Sequence, residues 1–129
     1  MIKQLRIKDY ILIDELTANF DKGLNVITGE TGAGKSILIN AIDITFAPRV
    51  SKEVIKHGKE KAVIELVIEN TKHDLNQLFE ENGVDNFGSE IVLTKEITQN
   101  SVRSRVNGTL VNQEFIKQLK NYFLDIHSQ

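Results

Sequence analysis

Apolar and polar positions alternate with a period of two over several short stretches and with a period near 3.6 over others, which predicts interleaved strands and helices. Ile2, Leu5 and Ile7, then Ile11 to Ile13 and Leu16 to Phe20, read as two antiparallel strands ahead of a turn at Asp21-Lys22-Gly23. Leu24 to Thr28 is a further apolar run, and Ile37 to Ile44 continues with no Gly or Pro before Pro48. This predicts a helix from about Lys35 to Phe46, closing near Ala47-Pro48 because proline cannot extend it. Residues 49 to 61 are polar and irregular. Lys61 to Glu69 sets Ala62, Ile64, Leu66 and Ile68 against more polar neighbours, apart from Val63 and Val67, as a half-buried strand does. Asp74 to Asn82 reads as a helix stopped at Gly83.

Glu90 to Thr98 and Ser101 to Val106 are strand-like and joined by Gln99-Asn100. Asn107-Gly108 is the strongest hairpin signal in the chain and leads into Thr109-Leu110-Val111. A final helix is predicted from Gln113 to Asn121, with Phe115, Ile116, Leu119 and Phe123 at helical spacing. Tyr122 to His127 then reads as a buried strand. No internal repeat, low-complexity tract or Pro/Gly/Ser linker interrupts the pattern. The expected class is α/β: a central sheet with an antiparallel β portion attached.

The run Leu24 to Thr28 feeds directly into Gly29-Glu30-Thr31-Gly32-Ala33-Gly34-Lys35-Ser36, a complete G-x-x-x-x-G-K-S pattern. Glycine makes up about 7% of average sequences, so a chance match in a chain of this length is on the order of one per cent or less. In a strand-to-helix turn of this type, glycines let successive backbone N–H groups point at phosphate oxygens. Lys35 adds a cation near the β- and γ-phosphates, and the Ser36 hydroxyl can ligate Mg²⁺. The expected ligand is a nucleoside triphosphate.

Composition narrows the remaining possibilities. The 129 residues are one domain's worth of chain, and 40% are hydrophobic, enough for a two-layer core. Sixteen basic against 18 acidic residues give a net charge of −2, so no global electrostatic case exists for nucleic acid or an anionic membrane. Without cysteine there is neither a disulfide framework nor a thiolate metal site, which suits a reducing cytoplasm. No apolar run approaches membrane-spanning length, and the alternating start Met1-Ile2-Lys3-Gln4-Leu5-Arg6 is unlike a signal segment; a soluble, untargeted protein is expected.

The flanks of the loop separate the families that share it. Leu5 to Tyr10, Ile13 to Leu16 and Phe20 to Ile42 resemble the amino-terminal half of the ATPase head of the RecN family of bacterial DNA-repair proteins. Arg105-Val106-Asn107-Gly108 followed by Val111, and the ending Leu124-Asp125-Ile126-His127-Ser128-Gln129, are similar to later segments of the same head, in the same order. That family belongs with the structural-maintenance-of-chromosomes proteins, ABC-type P-loop ATPases whose heads are split by a long antiparallel coiled coil. The resemblance implies that Gly29, Glu30, Thr31, Gly32, Ala33, Gly34, Lys35 and Ser36 bind ATP. It also makes Gln129 the Q-loop glutamine, which with Ser36 holds Mg²⁺ and with Lys35 serves catalysis. His127 and Asp125, in the same string, read as structural or loop-positioning residues.

The resemblance also implies features that these residues lack. No Walker B strand ending in Asp-Glu follows the phosphate loop and no signature motif is present, and in Asn121-Tyr122-Phe123-Leu124-Asp125 the aspartate is followed by Ile126 instead of a catalytic glutamate. No heptad pattern supports a coiled coil. Residues 1–129 are therefore expected to be the N-terminal lobe of a split head. The lobe would bind ATP with negligible turnover alone, pair with the C-terminal lobe and with a second head, and act on DNA through the whole protein in the cytoplasm, associated with the nucleoid. A head of another SMC- or RecF-like ATPase, or a nucleotide-dependent dimerisation module, is the alternative. A self-contained kinase or GTPase is disfavoured, because no Asn-Lys-x-Asp motif or arginine-rich lid is present.

Lesser candidates follow. Arg49, Lys52, Lys56, His57, Lys59 and Lys61 form a locally basic stretch, offset by Glu53 and Glu60, and read mainly as a solvated loop. By resemblance Arg49 could face nucleotide or DNA, although Ala47-Pro48 replaces the usual glycine pair before it. Arg103 and Arg105 alternate on one strand face and could touch phosphate, although such pairs are more often solubility charges. Tyr10 could stack on a base but reads more naturally as core.

Overall fold

The computed structural model describes residues 2–20, 25–26, 32–70 and 74–127. β1 (Ile2–Tyr10) pairs antiparallel with β2 (Ile13–Asn19) on one side and with β4 (Lys61–Glu69) on the other. β3 (Asn25–Val26) adds to β2, while β5 (Glu90–Thr98), β6 (Val102–Val106) and β7 (Thr109–Val111) extend the other side. The described residues thus form one seven-stranded sheet, β3-β2-β1-β4-β5-β6-β7, with every pairing antiparallel.

Register turns the sequence alternation into two unlike faces. Across the covered face, Leu5 lies opposite Ala18 and Leu66, Leu66 opposite Leu93, and Leu93 opposite Val106. The adjacent row is Leu16, Ile7, Ile64, Lys95 and Ser104, and all of these side chains are buried. Burying each Leu or Ile contributes about 1.5–3 kcal/mol, so these rows anchor the fold. The opposite face carries Arg6, Lys8, Glu65, Glu96, Arg103 and Arg105, with Val63 and Val67 half-buried among them.

Helix α1 (Gly32–Phe46) lies against β1, β4 and β5 through Leu38, Ala41 and Thr45, a stripe at helical spacing. It stops just before Pro48, as expected. Helix α2 (Asn76–Glu81) closes where Gly83, at φ 68°, donates its N–H to the Glu80 carbonyl while Val84 donates to Phe79, a Schellman ending. At Asn107-Gly108 both residues have positive φ, 51° and 86°, the geometry a two-residue type I′ hairpin requires.

Helix α3 (Gln113–His127) starts with the Asn112 side chain capping the Phe115 N–H at 2.9 Å. Phe115, Ile116, Leu119 and Phe123 bury one face, and the Phe115 ring meets Phe79 of α2 with centroids 5.6 Å apart. This corrects the expected strand over Tyr122 to His127, because the backbone there continues the helix. Phe123 falls four residues after Leu119 and extends the same buried stripe, and no Gly or Pro interrupts the turn. The Walker-B-like string Asn121 to Asp125 is accordingly helical.

Candidate nucleotide site

The glycine-rich octet divides at the start of α1. Gly29, Glu30 and Thr31 lie outside the described residues, whereas Gly32, Ala33, Gly34, Lys35 and Ser36 form the opening of the helix, three residues earlier than the sequence pattern predicts. Ser36 is exposed. The first turn of α1 contains no acidic residue. A helix N-terminus carries partial positive charge from its unpaired N–H groups, which Asp or Glu commonly offset; no acidic residue of the first turn does so here. A serine hydroxyl one residue beyond a lysine suits a magnesium-bound polyphosphate. Among the described residues, no group of three or more His, Cys, Asp or Glu side chains could itself hold a metal.

Of the strand predicted over Leu24 to Thr28, Asn25–Val26 is described, at the β3 edge of the sheet beside β2. Gln129 lies outside the described residues, and α3 carries the chain as far as His127. The structure therefore groups Gly32 to Ser36 and leaves the pairing of Ser36 with Gln129 as an expectation.

The opposite end of α1 holds a group that the sequence reading did not single out. Lys95, 1% exposed, points from β5 into the core, where its Nζ donates to the Ala47 carbonyl at 2.8 Å and to Ser104 Oγ at 3.0 Å. Gln113 Nε2 donates to the Phe46 carbonyl at 3.3 Å. The last turn of α1 has no basic residue of its own, so donors from β5 and α3 satisfy its final carbonyls. Burial lowers the Lys95 amine from its ordinary 10.5 to about 8. The signal was present in the alternation Ile91, Leu93, Lys95, Ile97, which places the lysine on the inward face.

The lesser candidates sort by environment. Tyr10 is fully buried, and burial raises its phenol's pKa; its hydroxyl finds no partner among the described residues, so the ring belongs to the core. Arg49, Lys52, His57, Lys59 and Lys61 are exposed on the segment beyond α1, where a short 3-10 turn, Lys52–Val54, precedes the bridge between Ile55 and Tyr10. Lys56 is bonded to Asp14, and that bond, with the lysine's charge, lowers the carboxyl's pKa. Arg105 donates from Nε to Glu96 Oε1 at 2.9 Å.

A family model, the AAA domain, matches residues 4–128. The chain belongs to the AAA-domain family. Among curated relatives it is similar to the DNA repair protein RecN of Bacillus subtilis, 40% identical over 131 residues, and to that of Rickettsia prowazekii, 40% over 133. The RecN of Synechocystis is 37% identical over 134 residues. Each alignment covers 100% of this chain and 23% of the relative, so the chain spans about a quarter of the length of the curated relatives it matches. The matched part of RecN is N-terminal. Among solved structures, the recombination mediator protein RecF, in a complex described as RecF-ATP, aligns at TM-score 0.60 and 18% identity over 86% of this chain and 27% of that one. At that identity the likeness shows the fold alone: this AAA-domain chain shares the mixed α/β fold of that RecF chain over most of its length.

Proposed function

We propose that residues 1–129 are the ATP-binding lobe of a RecN-like ATPase head that acts in repair and recombination at DNA double-strand breaks. The observation that carries this reading is the placement of Gly32 to Ser36 at the acid-free start of α1, in a chain 40% identical to RecN over its whole length. Backbone N–H groups of residues 31 to 36 and the Lys35 ammonium would hold the triphosphate, with Gly29 and Glu30 shaping the loop. Ser36 and Gln129 would hold Mg²⁺, which would neutralise charge on the triphosphate. Gln129 would also orient the attacking water. Lys35 keeps negative charge from building up on the transferred group.

The one Asp-Glu pair, Asp14-Glu15, opens β2 ahead of the phosphate loop, and its aspartate is bonded to Lys56; the group that polarises water would come instead from a C-terminal lobe, and closure from a second head. DNA handling would belong to that whole assembly, in the cytoplasm and on the nucleoid. To test this, Mg²⁺-ATP is titrated into the chain by calorimetry, and turnover is followed with and without the remaining lobe of the head. Binding alone with turnover on reconstitution is expected. Steady hydrolysis by the 129 residues, abolished in Lys35→Ala, would overturn the shared-site reading.

A further inference from the structure

A second cluster of cations lies on the uncovered face of the sheet, away from α1. Because Ala62, Ile97, Ser104 and Val106 point into the core, their neighbours Lys61, Glu96, Thr98, Arg103 and Arg105 point out. Register brings these residues together from three strands: Lys61 of β4 is opposite Thr98 of β5, and Glu96 of β5 is opposite Arg103 of β6. Together with Ser101 they line a hollow of about 410 Å³.

Glu96 organises this hollow. Its Oε1 accepts from Arg105 Nε at 2.9 Å, and Lys61 Nζ lies 3.6 Å from Oε2. One carboxylate thus draws two cations together, and among the described residues Arg103 has no ion pair. Three cations against one carboxylate leave a local charge of +2 on a chain whose net charge is −2. The neighbouring hollow on the same face is a useful control. Arg6 and Lys8, with Lys61 shared between the two hollows, meet Asp9, Glu15 and Glu65 there, and Arg6 reaches Glu15 at 3.4 Å and Glu65 at 3.9 Å. The cations that the acidic hollow does not share, Arg103 and Arg105, lie at the end formed by β4, β5 and β6, against Glu96 alone.

We propose that the hollow formed by Lys61, Arg103 and Arg105 around Glu96 is an oxyanion site for a phosphate group, separate from the nucleotide loop. Two guanidinium groups present planar forks that match phosphate oxygens, and Lys61 adds a mobile point charge. Glu96 holds Arg105 in place, at the cost of one opposing charge. The phosphate can come from a polynucleotide backbone or from a free phosphorylated compound, since both present the same oxygens. The proposal goes beyond the ATP reading and does not depend on it.

The test uses the 129-residue chain carrying Lys35→Ala, so that phosphate binding at the nucleotide loop does not contribute. The probes are inorganic pyrophosphate, by calorimetry, and a fluorescent single-stranded oligonucleotide, by anisotropy across a salt series. Lys61→Gln/Arg103→Gln is expected to weaken binding about tenfold or more and, for the oligonucleotide, to flatten the log–log salt slope by about one. Glu96→Gln is expected to tighten binding several-fold, the reverse of what loss of a purely structural ion pair would do. A loss confined to the oligonucleotide assigns a polymer backbone, and a loss for pyrophosphate as well assigns a free phosphate compound. If the double variant keeps parental affinity for both probes with its melting curve intact, or Glu96→Gln fails to tighten either, the site is overturned.

Discussion

The two ends of α1 are finished in opposite ways. The N-terminal end has Gly32, Gly34, Lys35 and Ser36 and no acidic residue, so nothing in the helix's own sequence offsets its positive pole. The C-terminal end likewise lacks a basic residue, but Lys95 and Gln113 close it from two other elements, with the lysine completely enclosed. An acid in the first turn would repel a phosphate, whereas a base held against the last turn steadies the helix without approaching the ligand. Other elements thus complete the C-terminal end of the helix, while the N-terminal end is the one to which the proposed function assigns the phosphates.

The largest expected effect breaks the open end. Lys35→Ala removes charge-assisted contacts to two phosphates, each worth about 1.5–3 kcal/mol, and should weaken Mg²⁺-ATP binding about a hundredfold or more. A loss of nucleotide affinity with thermal stability within about 0.5 kcal/mol of the parent would place the effect on binding instead of folding. Calorimetric titration beside a melting curve checks both, and equal ATP affinity in the variant would remove Lys35 from the site.

The closed end should respond to pH instead of nucleotide. With its folded pKa near 8 against an ordinary 10.5, Lys95 is charged in both states below pH 8, and the cost of burying that charge is borne in full. As pH rises from about 8 toward 10.5, the unfolded chain keeps the proton and the folded chain releases it, so stability increases. Between pH 8 and about 9.5 the gain should be somewhat under ~2 kcal/mol, read from urea midpoints. The range stops there because the buried Tyr10 phenol, with its raised pKa, favours unfolding once free tyrosine ionises near pH 10. Lys95→Met should abolish the rise, and a variant with the same slope would show that other groups produce it.

Much of this contrast is written in the sequence, but unevenly. The octet is legible because its chemistry is local: eight consecutive residues contain both turn and charge. β4 and β5 are legible from strict alternation, and Gly83 and Asn107-Gly108 from backbone conformations that few residues adopt. The end of α3 was not, since an apolar run such as Tyr122 to Ile126 suits a buried strand as well as a helix, and only packing beside Leu119 decides. Lys95 and the Lys61–Glu96–Arg105 cluster depend on which strands become neighbours, information that no single segment contains. The sequence does place Arg103 and Arg105 on one face, but not the lysine and carboxylate they meet there.

A smaller change at the open end sharpens the division of labour. Ser36→Ala removes a hydroxyl without altering charge, so binding of ATP without metal should barely change while the Mg²⁺-dependent gain falls about tenfold, the worth of roughly 1.4 kcal/mol. Titrations with EDTA and with Mg²⁺ separate the two terms. Equal losses under both conditions would assign Ser36 to phosphate instead of metal.

The smallest effect is expected at Gln113. Its amide reaches the Phe46 carbonyl at 3.3 Å, a long hydrogen bond and one of two that close the end of α1 from outside the helix. Gln113→Ala leaves Lys95 on Ala47 and frees a carbonyl at a partly buried position where water can take over some of the lost contact. The cost should be about 0.5–1 kcal/mol, the low end for a neutral hydrogen bond. Because Gln113 opens α3, the loss should also loosen α3 from α1, so the amides of Phe46 and Phe115 should exchange faster with solvent while that of Leu38 stays protected. If all three exchange alike, Gln113 only contributes to global stability, and Lys95 alone fixes the closed end of the helix.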